Sequence, residues 1–140
     1  MAESKLSFTV PGTPKGKARP RFNMRTKSTY TPDSTTSYEN LVRVCFNNAH
    51  PDWVPSGDAV EIHIYLYFPV AQSWPKKKIA AALQGILKKK TKPDLDNVEK
   101  AILDGLNGVA WIDDAQIYIK SGMKTYDEVP RADITIIFRE

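Results

Sequence analysis

The sequence predicts an α+β fold: a small single domain, residues 1–140, with helices packed on a mixed or antiparallel sheet. Three observations lead there. Residues 58–70 and 132–138 alternate apolar and polar side chains as half-buried strands do, while residues 36–50 and 96–106 repeat their apolar positions at helical spacing. The elements follow in the order β, α, β, α, α, β, β. The last two strands succeed one another closely, so hairpin-like pairing between them is expected, which argues against a purely parallel sheet.

The first strand covers residues 5–10, with Leu6, Phe8 and Val10 on one side and Pro11-Gly12 closing it. Residues 13–31 carry Pro14, Gly16 and Pro20 among six cations, and read as a flexible basic loop that orders on a partner. Thr36 and Glu39 have the spacing of a capping box, and Tyr38, Leu41, Val42, Cys45, Phe46 and Ala49 form the apolar stripe of a first helix ending near His50-Pro51. The strand at 58–70 turns Val60, Ile62, Ile64, Leu66 and Phe68 one way and Glu61, His63, Tyr65 and Tyr67 the other. Its length suits a central position, and its second face is aromatic enough to expect cover from a helix or a second subunit.

Pro75 opens a short helix running to about Leu83, loosened at Gly85. The next helix begins near Asp96, capped by Asp96 or Asn97, and runs to about Leu106. At about 100° per residue, Asp96, Lys100, Asp104 and Asn107 share one face, opposite Leu95, Val98, Ile102 and Leu106. Asn107-Gly108 supplies a turn. A strand starting at Asp114 then places Ile117 and Ile119 on one side and Asp114, Gln116, Tyr118 and Lys120 on the other, with Asp113 left on the turn.

Composition narrows the function. The chain has 41% hydrophobic residues, enough for one core, and no stretch of the length a membrane span needs, so a soluble cytoplasmic protein is expected. Cys45 is the single cysteine, which excludes an intrachain disulfide and a cysteine-based zinc cluster. His50 and His63 stand apart from the aspartates, so oxygen ligands remain, which favour Mg²⁺, with Mn²⁺ as a substitute. The net charge is +4, and thirteen of the twenty basic residues fall in three blocks: 15–27, 76–78 and 88–92. The candidate DNA contacts are Lys15, Lys17, Arg19 and Arg21 in the first block, Lys88, Lys89, Lys90 and Lys92 in the last, and Lys120 on the later strand.

The last block runs into Lys92-Pro93-Asp94-Leu95-Asp96-Asn97, and Asp113-Asp114 follow after one helix. Hard oxygen donors of this kind suit a divalent cation that also touches phosphate. Each feature has an ordinary explanation as well. Two aspartates at a helix start can serve as a cap and a dipole complement, and Asp96 with Lys100 has the spacing of an i,i+4 salt bridge.

The text Lys92-Pro93-Asp94-Leu95-Asp96-Asn97, then Lys100, then Leu103-Asp104-Gly105-Leu106-Asn107-Gly108, then Trp111-Ile112-Asp113-Asp114-Ala115-Gln116 resembles the RusA-type Holliday-junction resolvases. These are Mg²⁺-dependent endonucleases often carried by prophages. The resemblance implies that Asp94, Asp96 and Asp114 match the family's essential aspartates as catalytic metal ligands. It likewise implies that Lys100 matches its functional lysine, and Asp113 the acidic neighbour of the third aspartate. It further implies a homodimer that resolves four-way DNA junctions by paired nicks. The alternative expectation is a non-catalytic module that binds branched nucleic acid, with its carboxylates serving only as caps and salt bridges.

Overall fold

The structure, a computed structural model, describes residues 3–17, 21–30 and 33–140. Its elements are β1 (Glu3–Pro11), β2 (Arg21–Asn23), β3 (Ser28–Tyr30), α1 (Asp33–Ala49), β4 (Ala59–Phe68), α2 (Lys76–Leu83), α3 (Leu95–Leu106), a 3₁₀ turn (Asp114–Gln116), β5 (Ile117–Tyr126) and β6 (Arg131–Arg139). A four-stranded sheet has the order β1-β6-β4-β5, and β2 pairs with β3 apart from it. The class is α+β with a mixed sheet, since β5 runs parallel to β4 while β6 is antiparallel to both β1 and β4.

β4 sits inside the sheet because its alternation is the most apolar: Val60, Ile62, Ile64 and Leu66 are fully buried. Ala132, Ile134, Ile136 and Phe138 of β6 and Phe8 and Val10 of β1 continue that face. Tyr38, Val42 and Phe46 of α1, Ala82 of α2, and Val98, Ala101, Ile102 and Leu106 of α3 join the same core cluster, so all three helices lie on one side. Burying each large apolar chain contributes about 1.5–3 kcal/mol relative to exposure. α1 and α3 approach closely at Gly105, where an added Cβ would stand 2.8 Å from the Glu39 carbonyl oxygen. Any side chain there would push the two helices apart.

Several expectations need correction. The last two strands do not pair: α2 and α3 carry the chain across to lay β5 parallel beside β4, and β6 inserts between β1 and β4. The link between them passes over the end of β4, where Asp127 N–H donates to the Phe68 carbonyl at 2.9 Å. The sheet is mixed because of this crossover, not because of a terminal hairpin.

Residues 13–31 are not without regular structure, since β2 and β3 form an antiparallel hairpin within them. α1 begins at Asp33, three positions before the proposed Thr36 cap. Among the described residues no helix covers the second face of β4. Its charges are compensated within the sheet, where Glu61 meets both His63 and Arg139, and Arg131 lies 4.0 Å over the Tyr67 ring. Hydrogen bonds from His63 first, and from Arg139, hold the Glu61 carboxyl below its ordinary range.

The strand expected from Asp114 starts only at Ile117, after the 3₁₀ turn. A bulge opposite Val60 and Glu61 then breaks its phase: Ile117 partners Val60 and Ile119 partners Glu61. Ile119 is thereby placed on the open face, and Lys120, the partner of Ile62, on the helix side.

Candidate active site

α3 starts where Asp94 serves as the N-cap residue, two positions before the expected Asp96, and the Asp94 carboxylate makes no capping hydrogen bond. Its contact is a long one of 3.5 Å from Asn97 Nδ2. Asp96 lies exposed in the first turn and Lys100 is exposed one turn later. Among the described residues no ion pair involves Asp94, Asp96 or Lys100. The cap and salt-bridge explanations therefore fail at this end of α3. Asp96 keeps the first-turn position that suits the helix dipole, and its carboxylate faces solvent.

The other polar residues of the helix are engaged. Asp104 pairs with Lys17, which also stands 3.8 Å from Glu39, and the Lys17 backbone N–H donates to the Asn97 carbonyl at 3.0 Å. The hydrogen bond to Asp104, before any other influence, raises the Lys17 pKa above its ordinary value. Lys17 thus ties the segment ahead of the β2–β3 hairpin to α3. Glu99 is 5% exposed, paired with Lys120 at 3.3 Å, and Gly122 of β5 leaves the room its carboxylate occupies.

Beyond the far end of α3, Trp111 is fully buried and its Nε1 donates to Asp114 Oδ1 at 2.7 Å. Gln116 braces the turn. Its Oε1 accepts from the backbone N–H of Ile112 and Asp113, and its Nε2 donates to the carbonyls of Ser56 and Asp58. Asp113 stays exposed as the N-cap of the 3₁₀ turn. Sequence reasoning missed Trp111 and Gln116 as the residues that orient Asp114, although both lie in the text that carries the family resemblance.

Asp94 and Asp96 stand at one end of α3, and Asp113 and Asp114 follow its other end; 12 residues of helix span about 18 Å. Among the described residues no group of three His, Cys, Asp or Glu side chains is close enough to hold a metal ion. The donor chemistry nonetheless fits Mg²⁺: hard carboxylate oxygens, outside every ion pair among the described residues at Asp94 and Asp96 and hydrogen-bonded to Trp111 at Asp114.

The basic residues divide as well. Lys88 Nζ donates to the Gly85 carbonyl, whereas Lys89 donates to Thr91 Oγ1 and lies 4.8 Å over Phe68 and 5.5 Å over Tyr126. Burial, and next the charge of Lys124, lower the Lys89 pKa. Lys90 and Lys92 are exposed. Lys15 lines a cavity of about 400 Å³ with Thr13, Ser37 and Tyr38. Arg19 lies outside the described residues, and Arg21 is placed on β2 by its backbone.

No helix of the described residues is long and apolar enough to cross a membrane. An uncharacterized protein, YqaN of Bacillus subtilis strain 168, is 31% identical over 134 residues, covering 94% of each chain. Residues 11–137 match the family described as endodeoxyribonuclease RusA, a span that holds α1 to α3, both acidic ends and most of the sheet. The chain belongs to the RusA endodeoxyribonuclease family.

Proposed function

We propose that this protein is a metal-dependent, structure-selective DNA endonuclease that resolves four-way junctions by paired nicks and works as a homodimer. The observation that carries the reading is the state of Asp94, Asp96 and Lys100: at a helix start where a cap and a salt bridge would be ordinary, neither forms. Exposed carboxylates and an exposed lysine that are engaged in no ion pair among the described residues are available to a ligand.

Asp94, Asp96 and Asp114, with Asp113 beside it, are the residues that would hold Mg²⁺. Bound there, the ion supplies charge neutralisation at the scissile phosphate and an activated water. Lys100 places an ammonium one turn from Asp96, where it meets the growing negative charge on the phosphate oxygens. Trp111 holds one oxygen of Asp114 and leaves the other for the ligand. Lys90 and Lys92, exposed like Lys88, are cations that lead toward Asp94 and guide the backbone.

The separation of the two acidic ends supports the dimer. Within one chain Asp114 follows the opposite end of α3 from Asp94 and Asp96, so a second copy, related by a two-fold axis, is the economical way to unite three carboxylates. Such an arrangement yields two equivalent sites, one per strand to be nicked.

The test is cleavage of a four-way junction and of linear duplex of the same sequence, with Mg²⁺ and with chelator. Junction-selective nicking that needs the metal is expected. Junction binding without cleavage in any divalent metal would leave a non-catalytic binding module instead.

A further inference from the structure

We infer that Lys124 is a positioning residue for Asp94, holding the segment that presents this carboxylate; the inference rests on the metal-dependent nuclease reading. In β5, Lys124 is the register partner of Leu66, which is fully buried, so its side chain emerges on the helix-covered side of the sheet. A lysine there must find acceptors. It finds two carbonyl oxygens, Thr91 O at 2.7 Å and Pro93 O at 2.9 Å.

The choice of acceptors gives Lys124 its role. Both lie in the irregular stretch that carries the chain from α2 to α3, and Pro93 directly precedes Asp94. With the Pro93 carbonyl fixed by a charge-assisted bond, the peptide plane leading into Asp94 cannot rotate freely. On the other side, the Asp94 carbonyl accepts the Val98 N–H at 3.2 Å as α3 begins. Asp94 is pinned at both flanks while its carboxylate stays free of a cap bond.

Among the described residues Lys124 forms no ion pair, so its charge is not cancelled locally. DNA does not need to touch it. This separates Lys124 from the exposed Lys90 and Lys92, which have no such anchor.

The test compares wild type with Lys124→Met, Lys124→Gln, Lys124→Arg and Asp94→Asn, all in the full chain. Mn²⁺ binding is followed by the EPR signal of the free ion, and junction nicking and junction affinity are measured on the same preparations. Lys124→Met should weaken Mn²⁺ binding and slow nicking by about 10- to 100-fold, the range for residues that orient metal ligands. Junction affinity should stay within about twofold, because the ammonium is engaged by the Thr91 and Pro93 carbonyls. Lys124→Arg, which keeps charge and donors, should restore most of the Mn²⁺ affinity. If Lys124→Met does not fold, Lys124→Gln and Lys124→Arg decide, with Gln expected to fall well below Arg.

Wild type that binds Mn²⁺ through Asp94, beside Lys124→Met or Lys124→Gln of equal Mn²⁺ affinity, overturns the positioning role and leaves the nuclease reading intact. Wild type that binds no Mn²⁺ overturns both.

Discussion

The two ends of α3 carry aspartates of the same sequence character and treat them in opposite ways. At the start, Asp94 and Asp96 are exposed, uncapped and outside every ion pair among the described residues. Beyond the end, Asp114 is half-buried against Trp111 in a turn braced four times by Gln116. One end keeps its charge available and holds its backbone from behind, through Lys124. The other fixes the carboxylate itself. The first end leaves its carboxylates adaptable, whereas the second holds its carboxylate by a buried indole and a braced turn.

The largest effect that can break this comparison is loss of a ligand. Asp94→Asn and Asp114→Asn should each abolish nicking while leaving junction binding equal or tighter, because the change removes negative charge without altering shape; gel shift and nicking assays on one preparation check this. Mixing the two inactive variants sharpens it further. In a two-fold dimer whose sites combine Asp94 of one copy with Asp114 of the other, a mixed dimer holds one intact site, so single nicks should return. Continued inactivity of mixed dimers, confirmed as such by differently tagged copies, would place the whole site within one chain.

Stability should divide the two ends in the opposite sense. Gln116→Leu removes hydrogen bonds to two backbone N–H groups and two carbonyls, and should cost about 2–4 kcal/mol by urea unfolding. Asp96→Asn, at the exposed end, should move stability by no more than about 0.5 kcal/mol. Equal losses would mean that the start of α3 is as tightly built as the turn at its far end.

Lys100→Ala should lower the nicking rate by about 100-fold with a smaller change in junction affinity, as single-turnover rates and gel shifts will show. Comparable losses in both would reduce Lys100 to a phosphate contact in the ground state.

The smallest effect concerns the lysines ahead of Asp94. Lys89 is half-buried and held by Thr91 and two aromatic rings, whereas Lys88, Lys90 and Lys92 are exposed, Lys88 with one hydrogen bond to the Gly85 carbonyl. Replacing Lys90 and Lys92 together by Gln should make the slope of log K against log salt shallower by about 1.4–1.8, at 0.7–0.9 per phosphate contact. Lys89→Gln alone should leave the slope nearly unaltered, and the reverse pattern would move the DNA path to the aromatic side.

What the sequence determined by itself is what short-range periodicity can encode. The apolar face of β4, the closing strand, the three helices of the core and the existence of α3 follow from alternation at two and at 3.6 residues, and each is present within a few positions. The aspartates and Lys100 stood out by type and spacing, and the family by the same text. Tertiary structure alone decided the rest, because it depends on partners distant in the chain. The position of β6 between β1 and β4, with β5 sent to the far edge, is a competition among strands that no local pattern records. The bulge opposite Glu61 moved Lys120 to the helix side, where it meets Glu99. Lys17 went to Asp104 and Lys124 to the carbonyls before Asp94 because folding set those acceptors within reach. The same long-range geometry left Asp94, Asp96 and Lys100 outside every ion pair among the described residues and Asp94 without a cap bond, since a cap or salt bridge forms only where the folded backbone aims the two groups at each other.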